Sequence, residues 1–202
     1  MILIRKNVVS AYTRLGVAGL FLCALLSSGC GKGNLRNAPA DEIAANTVRV
    51  ATASGQPGVD YQSPLLTQEH WQVNMGGEDI LSYRLSGHAD DTGKRVQHHR
   101  LDIDSEYRAR HPAGYQAARF ADGTLRPVAH LRQETERCQE FNSMQSGCTF
   151  RDRFDLPLSA EELAAFARTG LSARLVGKSG DLQTIELPAA YIQGYLKAVN
   201  TN

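Results

Sequence analysis

No sign of charge dominates this chain. Its 202 residues hold 22 Lys and Arg against 21 Asp and Glu. Nucleic-acid binders carry a basic stripe or patch, and none stands out here. Aromatics make up only 7%, which argues against an aromatic-lined ligand site. Catalytic signatures are missing as well. There is no GxSxG turn for a serine nucleophile, no GxxxxGK[ST] phosphate loop and no GxGxxG dinucleotide loop. The six His stand at 70, 88, 98, 99, 111 and 130, without HExxH or another metal-ligand spacing. No uncharged run reaches the roughly 20 residues that span a bilayer core. Low-complexity tracts and internal repeats are absent, and 42% hydrophobic residues exclude wholesale disorder.

What is present begins with an address. Arg5, Lys6 and Arg14 are the only charges before Lys32. Leu15 to Leu26 is a twelve-residue apolar run, followed by Ser27, Ser28, Gly29 and Cys30. A basic start, a short apolar core and small residues make a secretory signal peptide over 1–29. A retained membrane anchor is the alternative, disfavoured because the run is short.

The Cys at the end of that run resembles the lipobox of bacterial lipoprotein precursors. Ser27 stands where that pattern most often has Leu, with Leu26 one place earlier. The resemblance covers residues 1–30 and implies a diacylglyceryl thioether on Cys30, cleavage before it and acylation of the new amino group. Two or three chains at about 0.8 kcal/mol per buried CH₂ make such an anchor effectively permanent. Gly31 follows, where Asp is the usual inner-membrane retention signal. The resemblance therefore implies the outer membrane, with the domain facing the periplasm.

Cysteine usage agrees with export. Cys23 leaves with the signal and the lipid takes Cys30, so Cys138 and Cys148 remain. An even remainder in an exported protein predicts one disulfide. A loop this short restricts the unfolded chain by about 2–3 kcal/mol. A redox or metal pair is the alternative, but the chain has no CxxC and no His within five residues of either thiol.

Residues 31–46 are rich in small and polar types and read as a flexible tether of about 20–24 Å root-mean-square span. A short helix at Asp41–Ala45 is the variant reading. Residues 47–202 then form one domain. Thr47–Ala53 alternates as a strand, and Ser54–Pro64 reads as a loop because it holds two Gly and two Pro. Alternating runs on either side of Gly76-Gly77 predict a hairpin, with Trp71 in the core beside Val73 and Met75. Asp122-Gly123 is the strongest hairpin signal. Tyr115–Phe120 and Leu125–Leu131 flank that turn, and Leu131–Asn142, rich in Gln, Glu and Arg, can instead be read as helical. Ser159-Ala160-Glu161-Glu162 is a capping box, with Leu158 and Leu163 as its hydrophobic staple and Gly170 as the stop. A strand pair follows. Pro188 then opens a last helix with Tyr191, Ile192, Tyr195, Leu196 and Val199 at helical spacing. The fold class is α+β: a mainly antiparallel sheet or sandwich built from hairpins, with two short C-terminal helices.

The most unusual segment is Val96–Arg110. His98, Arg100, Asp102, Asp104, Glu106, Arg108 and Arg110 share one parity and hence one face of a strand, while Leu101, Ile103 and Tyr107 take the other. A divalent-metal site on Asp102, Asp104 and Glu106 is disfavoured. Tyr107 stands where a calcium loop needs Gly, and an extended strand spreads the carboxylates about 6–7 Å apart. His98 and His99 point to opposite faces, so one ion would not bind both. The alternating charges suit a solvated or docking face, on Arg100, Asp102, Asp104, Glu106 and Arg108. No catalytic residue, cofactor, metal or nucleic-acid partner is expected. The expected partners are the membrane, through lipid on Cys30, and another envelope protein. A small-ligand or glycan-binding lipoprotein is the alternative reading, and a periplasmic hydrolase with a dispersed site a weaker one.

Overall fold

Apolar residues at every second position build most of the elements, and the computed structural model shows which of them pair. It describes residues 35–52, 57–72, 77–90, 96–139, 147–178 and 180–200. The N-terminal segment opens with a 3-10 turn, Leu35–Asn37, then a helix, α1, Ala40–Ala45. The strands that follow are β1 Val48–Ala51, β2 Val59–Gln62, β3 Leu66–Gln72, β4 Gly77–Ala89 and β5 Val96–Ala109. Next come β6 Ala117–Phe120, β7 Leu125–Pro127, β8 Ala129–Gln139 and β9 Gly147–Leu158. Helix α2, Ala160–Thr169, leads to β10 Leu171–Gly177, β11 Gly180–Leu187 and helix α3, Ala189–Asn200.

All strand pairs are antiparallel. One sheet runs β1-β2-β4-β5-β9-β8, with β3 also pairing β4; the second runs β11-β10-β6-β7. The α+β architecture expected from the sequence is therefore the observed one. The hairpin expected around Gly76-Gly77 is found as the β3–β4 pair, with Gln72 opposite Gly77, which already belongs to β4; Val73, Met75 and Gly76 lie outside the described residues. The Asp122-Gly123 turn joins β6 to β7, and Gly123 takes φ +86°, which glycine adopts without strain. Ser159 Oγ accepts from the Glu162 N–H while Glu162 accepts from the Ser159 N–H, closing the capping box. Leu158 and Leu163 are both buried beside it.

Burial separates the two faces of the larger sheet. Tyr83, Leu85, Leu101, Ile103, Phe154 and Leu156 lie on the inner face, all at most 4% exposed. The smaller sheet covers part of that face. Tyr83 Oη donates to the Glu186 carbonyl on β11 at 3.0 Å, and Ser105 on β5 bonds Gln183 on β11. Helix α3 covers the rest. Tyr195 Oη meets His99 Nδ1 at 2.9 Å, and Tyr191 Oη donates to the Pro64 carbonyl at 2.6 Å. Both tyrosines therefore pack on the sheet.

Three expectations need correction. Residues 35–46 are not a free tether. Ile43 is fully buried, and α1 packs on α3 where Gly194 has no side chain; a Cβ there would lie 2.4 Å from the Ala40 carbonyl oxygen. The apolar Ile43 outweighs the polar composition around it, so the folded domain already includes Leu35. Second, Ser54–Pro64 is not all loop. Val59–Gln62 pairs with both β1 and β4 and buries Tyr61. Its Pro flanks the strand rather than interrupting it. Third, the helical reading of Leu131–Asn142 fails, because β8 runs to Gln139 in register with β9. The side chain of Trp71, and residues 1–34 with the expected signal peptide and Cys30, lie outside the described residues.

Candidate functional site

The outer face of the larger sheet is made by parity. Successive residues of a strand point to opposite sides, so one buried face leaves every second residue outward. In β5 these are Arg100, Asp102, Asp104, Glu106 and Arg108, the set marked by the sequence. All five are half-buried, while their neighbours Leu101, Ile103, Ser105 and Tyr107 are buried. Both helix α3 and the second sheet lie on the opposite side.

Register arranges the charges in rows across β4, β5, β9 and β8. One row is Ile80, Glu106, Arg151 and Glu134. The next is Ser82, Asp104, Arg153 and Arg132. A third is Arg84, Asp102, Asp155 and Ala129. Opposite charges meet within and between rows. Arg151 grips Asp104 at 2.7 Å, Arg153 reaches it at 3.3 Å, and Arg100 holds Asp102 at 2.8 Å. Ser86 donates to Asp102 as well. Arg151 and Arg153 turn their remaining donors toward Glu136 and Glu134 at 3.8 and 3.5 Å. Partial burial pushes the Asp104 carboxyl up, but its two arginines outweigh that and hold it below its ordinary value.

These side chains line a groove of about 940 Å³. His130 stands at its β8 wall with φ +52°, the one non-glycine residue in the left-handed region among those described. Such a conformation costs of order 1–3 kcal/mol. The β8–β9 register slips between Ala129 and Arg132, so His130 sits in a bulge. Its Nδ1 lies 2.7 Å from Asp155 Oδ1. The carboxylate is nearly buried while the imidazole is 84% exposed.

A second cavity, about 550 Å³, opens where the two sheets meet beyond the end of β5. Tyr107, Tyr115, His111, Lys178 and Gln183 line it. Arg110 lines it too, because β5 ends at Ala109 and the alternation stops there. Tyr115 Oη meets Ser105 Oγ at 2.9 Å and donates to Gln183 Oε1 at 3.2 Å, and burial pushes its hydroxyl up to about 12. Below it Tyr107 Oη donates to the fully buried Asp152 at 2.7 Å.

Cys138 and Cys148 form a disulfide across directly opposed positions of β8 and β9, Cα atoms 4.0 Å apart. The sequence predicts this pair once Cys23 and Cys30 are assigned to the expected signal peptide and lipid. His98 is exposed and His99 buried, on opposite faces as the strand period requires. Asp60 fixes His88 Nδ1 at 2.8 Å. No three metal-ligating side chains converge among the described residues. No described helix is long and apolar enough to cross a membrane. The reading of β5 alone missed the partner rows on β9 and β8. Their signal was Arg151-x-Arg153-x-Asp155, an alternation in the opposite phase to Phe150, Phe154 and Leu156. The His130 bulge had no such signal.

No family model matches the chain, no curated protein matches it in sequence, and no solved structure matches it in fold.

Proposed function

We propose that the chain is a lipid-anchored envelope protein whose domain docks another protein through the outer face of its seven-stranded sheet. One observation carries this reading. Four strands of one sheet face, β4, β5, β9 and β8, carry rows made mostly of Arg and carboxylate in register, half-buried on β5 and exposed on β8, with no layer over them among the described residues. Stability is a weak reason for such a face, because half-exposed pairs contribute about 0–1 kcal/mol each. Mixed-charge surfaces set register and exclude wrong partners in protein docking. The anchor half of the reading rests on the sequence, through the basic start, the apolar run and Cys30.

The test is crosslinking in the native host. Three forms are compared: native protein, Cys30→Ser, and a Glu106→Ala/Arg108→Ala variant of the face. The expected result is a defined partner with native protein that is lost in the face variant and reduced without the lipid. A partner insensitive to the face variant, or no partner in any form, overturns the reading.

A small-ligand reading draws on the second cavity, whose volume falls in the range of ligand pockets and whose tyrosines and Gln183 supply polar groups. A thermal shift with a carboxylate or glycan panel, abolished by Tyr115→Phe, would favour it.

A further inference from the structure

Most charges of the outer face have a neighbour of opposite sign. Asp104 is satisfied by Arg151 and Arg153, Asp102 by Arg100 and Ser86, and Asp155 by His130. Arg132 stands directly opposite Arg153 in register, so two arginine side chains leave the same face from adjacent strands. Like charges directly opposed disfavour strand pairing. Arg153 is shared with Asp104 and Glu134, while exposed Arg132 makes no hydrogen bond or ion pair with any described residue. Arg132 follows the His130 bulge by two residues, and the bulge holds the His130 ring at the same wall of the groove. Asp155 takes one ring nitrogen of His130, which leaves the other for a ligand. An unused planar fork, an unrelieved like-charge rung and an oriented imidazole thus meet at the mouth of one groove.

We propose that His130, Arg132 and Arg153 form an anion site, and that it takes a carboxylate from an acidic segment of the docked polypeptide. This deepens the docking reading and rests on it. An anion between the two arginines would relieve their repulsion and fill the donors that Arg132 leaves unused, with the bidentate geometry guanidinium favours. The groove runs over side chains of β4, β5, β9 and β8, so an extended segment laid across it would meet His130, Arg132 and Arg153.

The experiment uses the full chain in detergent and fluorescein-labelled hepta-glutamate, read by anisotropy, with hepta-lysine as control. The expected result is binding of hepta-glutamate only. Arg132→Gln weakens it by about tenfold, the scale of one charge-assisted hydrogen-bond set, and Arg132→Lys restores part of the loss. Arg168→Gln, the same charge change on α2, changes it by less than about twofold. Inorganic phosphate at matched ionic strength leaves the peptide bound. Equal losses in the Arg132 and Arg168 variants, or no binding at all, each overturn the site, and displacement by phosphate overturns its assignment to an acidic polypeptide segment. The same variants in host crosslinking separate this from the broader reading. A partner still lost with Glu106→Ala/Arg108→Ala but captured normally by Arg132→Gln removes the anion site and leaves the docking face standing.

Discussion

The His99 ring is 6% exposed beneath α3, and its Nδ1 meets Tyr195 Oη. Space around the pair is tight, since a Cβ on Gly87 would lie 2.3 Å from Tyr195 Oη and 3.2 Å from His99 Nδ1. Burial, aided by the neighbouring His98, holds the imidazole below its ordinary value. The unfolded chain therefore takes up the proton first as pH falls. The stability that neutral His99 contributes is fully present above about 6.5 and is lost as pH falls from there through the depressed folded value. Urea midpoints measured at pH 7.5 and at pH 5 should fall for the native protein. They should fall less for His99→Asn, which keeps a hydrogen bond to Tyr195 and does not titrate. An equal drop in both proteins would assign the acid sensitivity to other groups.

Strand β8 is the element whose stability is least obvious. It is a sheet edge, and from His130 to Cys138 every residue is exposed. Its charged composition guards that edge against pairing with other chains. The bond to Cys148 pins its far end to β9 and supplies what burial does not. Breaking the bridge should cost about 2–3 kcal/mol, and Cys138→Ser should cost about as much as removal of both cysteines. Equal denaturation midpoints for the oxidised and reduced protein would refute a structural bridge. Helix α2 needs no such staple, because its capping box, its buried Leu163 and the stack of Phe166 on Phe120 hold it at both ends.

At the scale of the molecule, the folded domain begins earlier than composition suggests. The 3-10 turn ties Arg36 to Tyr83 Oη at 2.8 Å, and α1 inserts Ile43 against α3. Four residues, 31–34, lie in sequence between Cys30 and the first described residue, Leu35. Five extended steps reach at most about 18 Å, so a lipid on Cys30 would hold the domain close to its membrane. Ile43→Ala should cost about 2–5 kcal/mol in urea denaturation, as for other fully buried large aliphatics. Val48→Ala, at a residue 51% exposed a few positions on, should stay within about 0.5 kcal/mol. A small effect at Ile43 would return 35–46 to the status of a linker.

Local rules carried much of the fold. Period-two alternation placed β1 and β5, turn chemistry placed the hairpins around Gly76-Gly77 and Asp122-Gly123, and capping residues placed α2, because each is a short-range effect of backbone geometry. The charged face was legible on β5 for the same reason, and the disulfide from the parity of the cysteine count once Cys23 and Cys30 are set aside. The rest needed distant partners. Strand β2 exists because Tyr61 is buried against neighbours β1 and β4, and α1 because Gly194, some 150 residues away, leaves room for Ile43. Register alone set Arg132 against Arg153 and Asp102 against Asp155, since a slip of one residue would have sent every one of these side chains to the other face. Sequence by itself thus determined which residues face outward along each strand. Only the tertiary structure decided which of them meet, because pairing across strands is fixed by the shared core beneath them and not by any local preference.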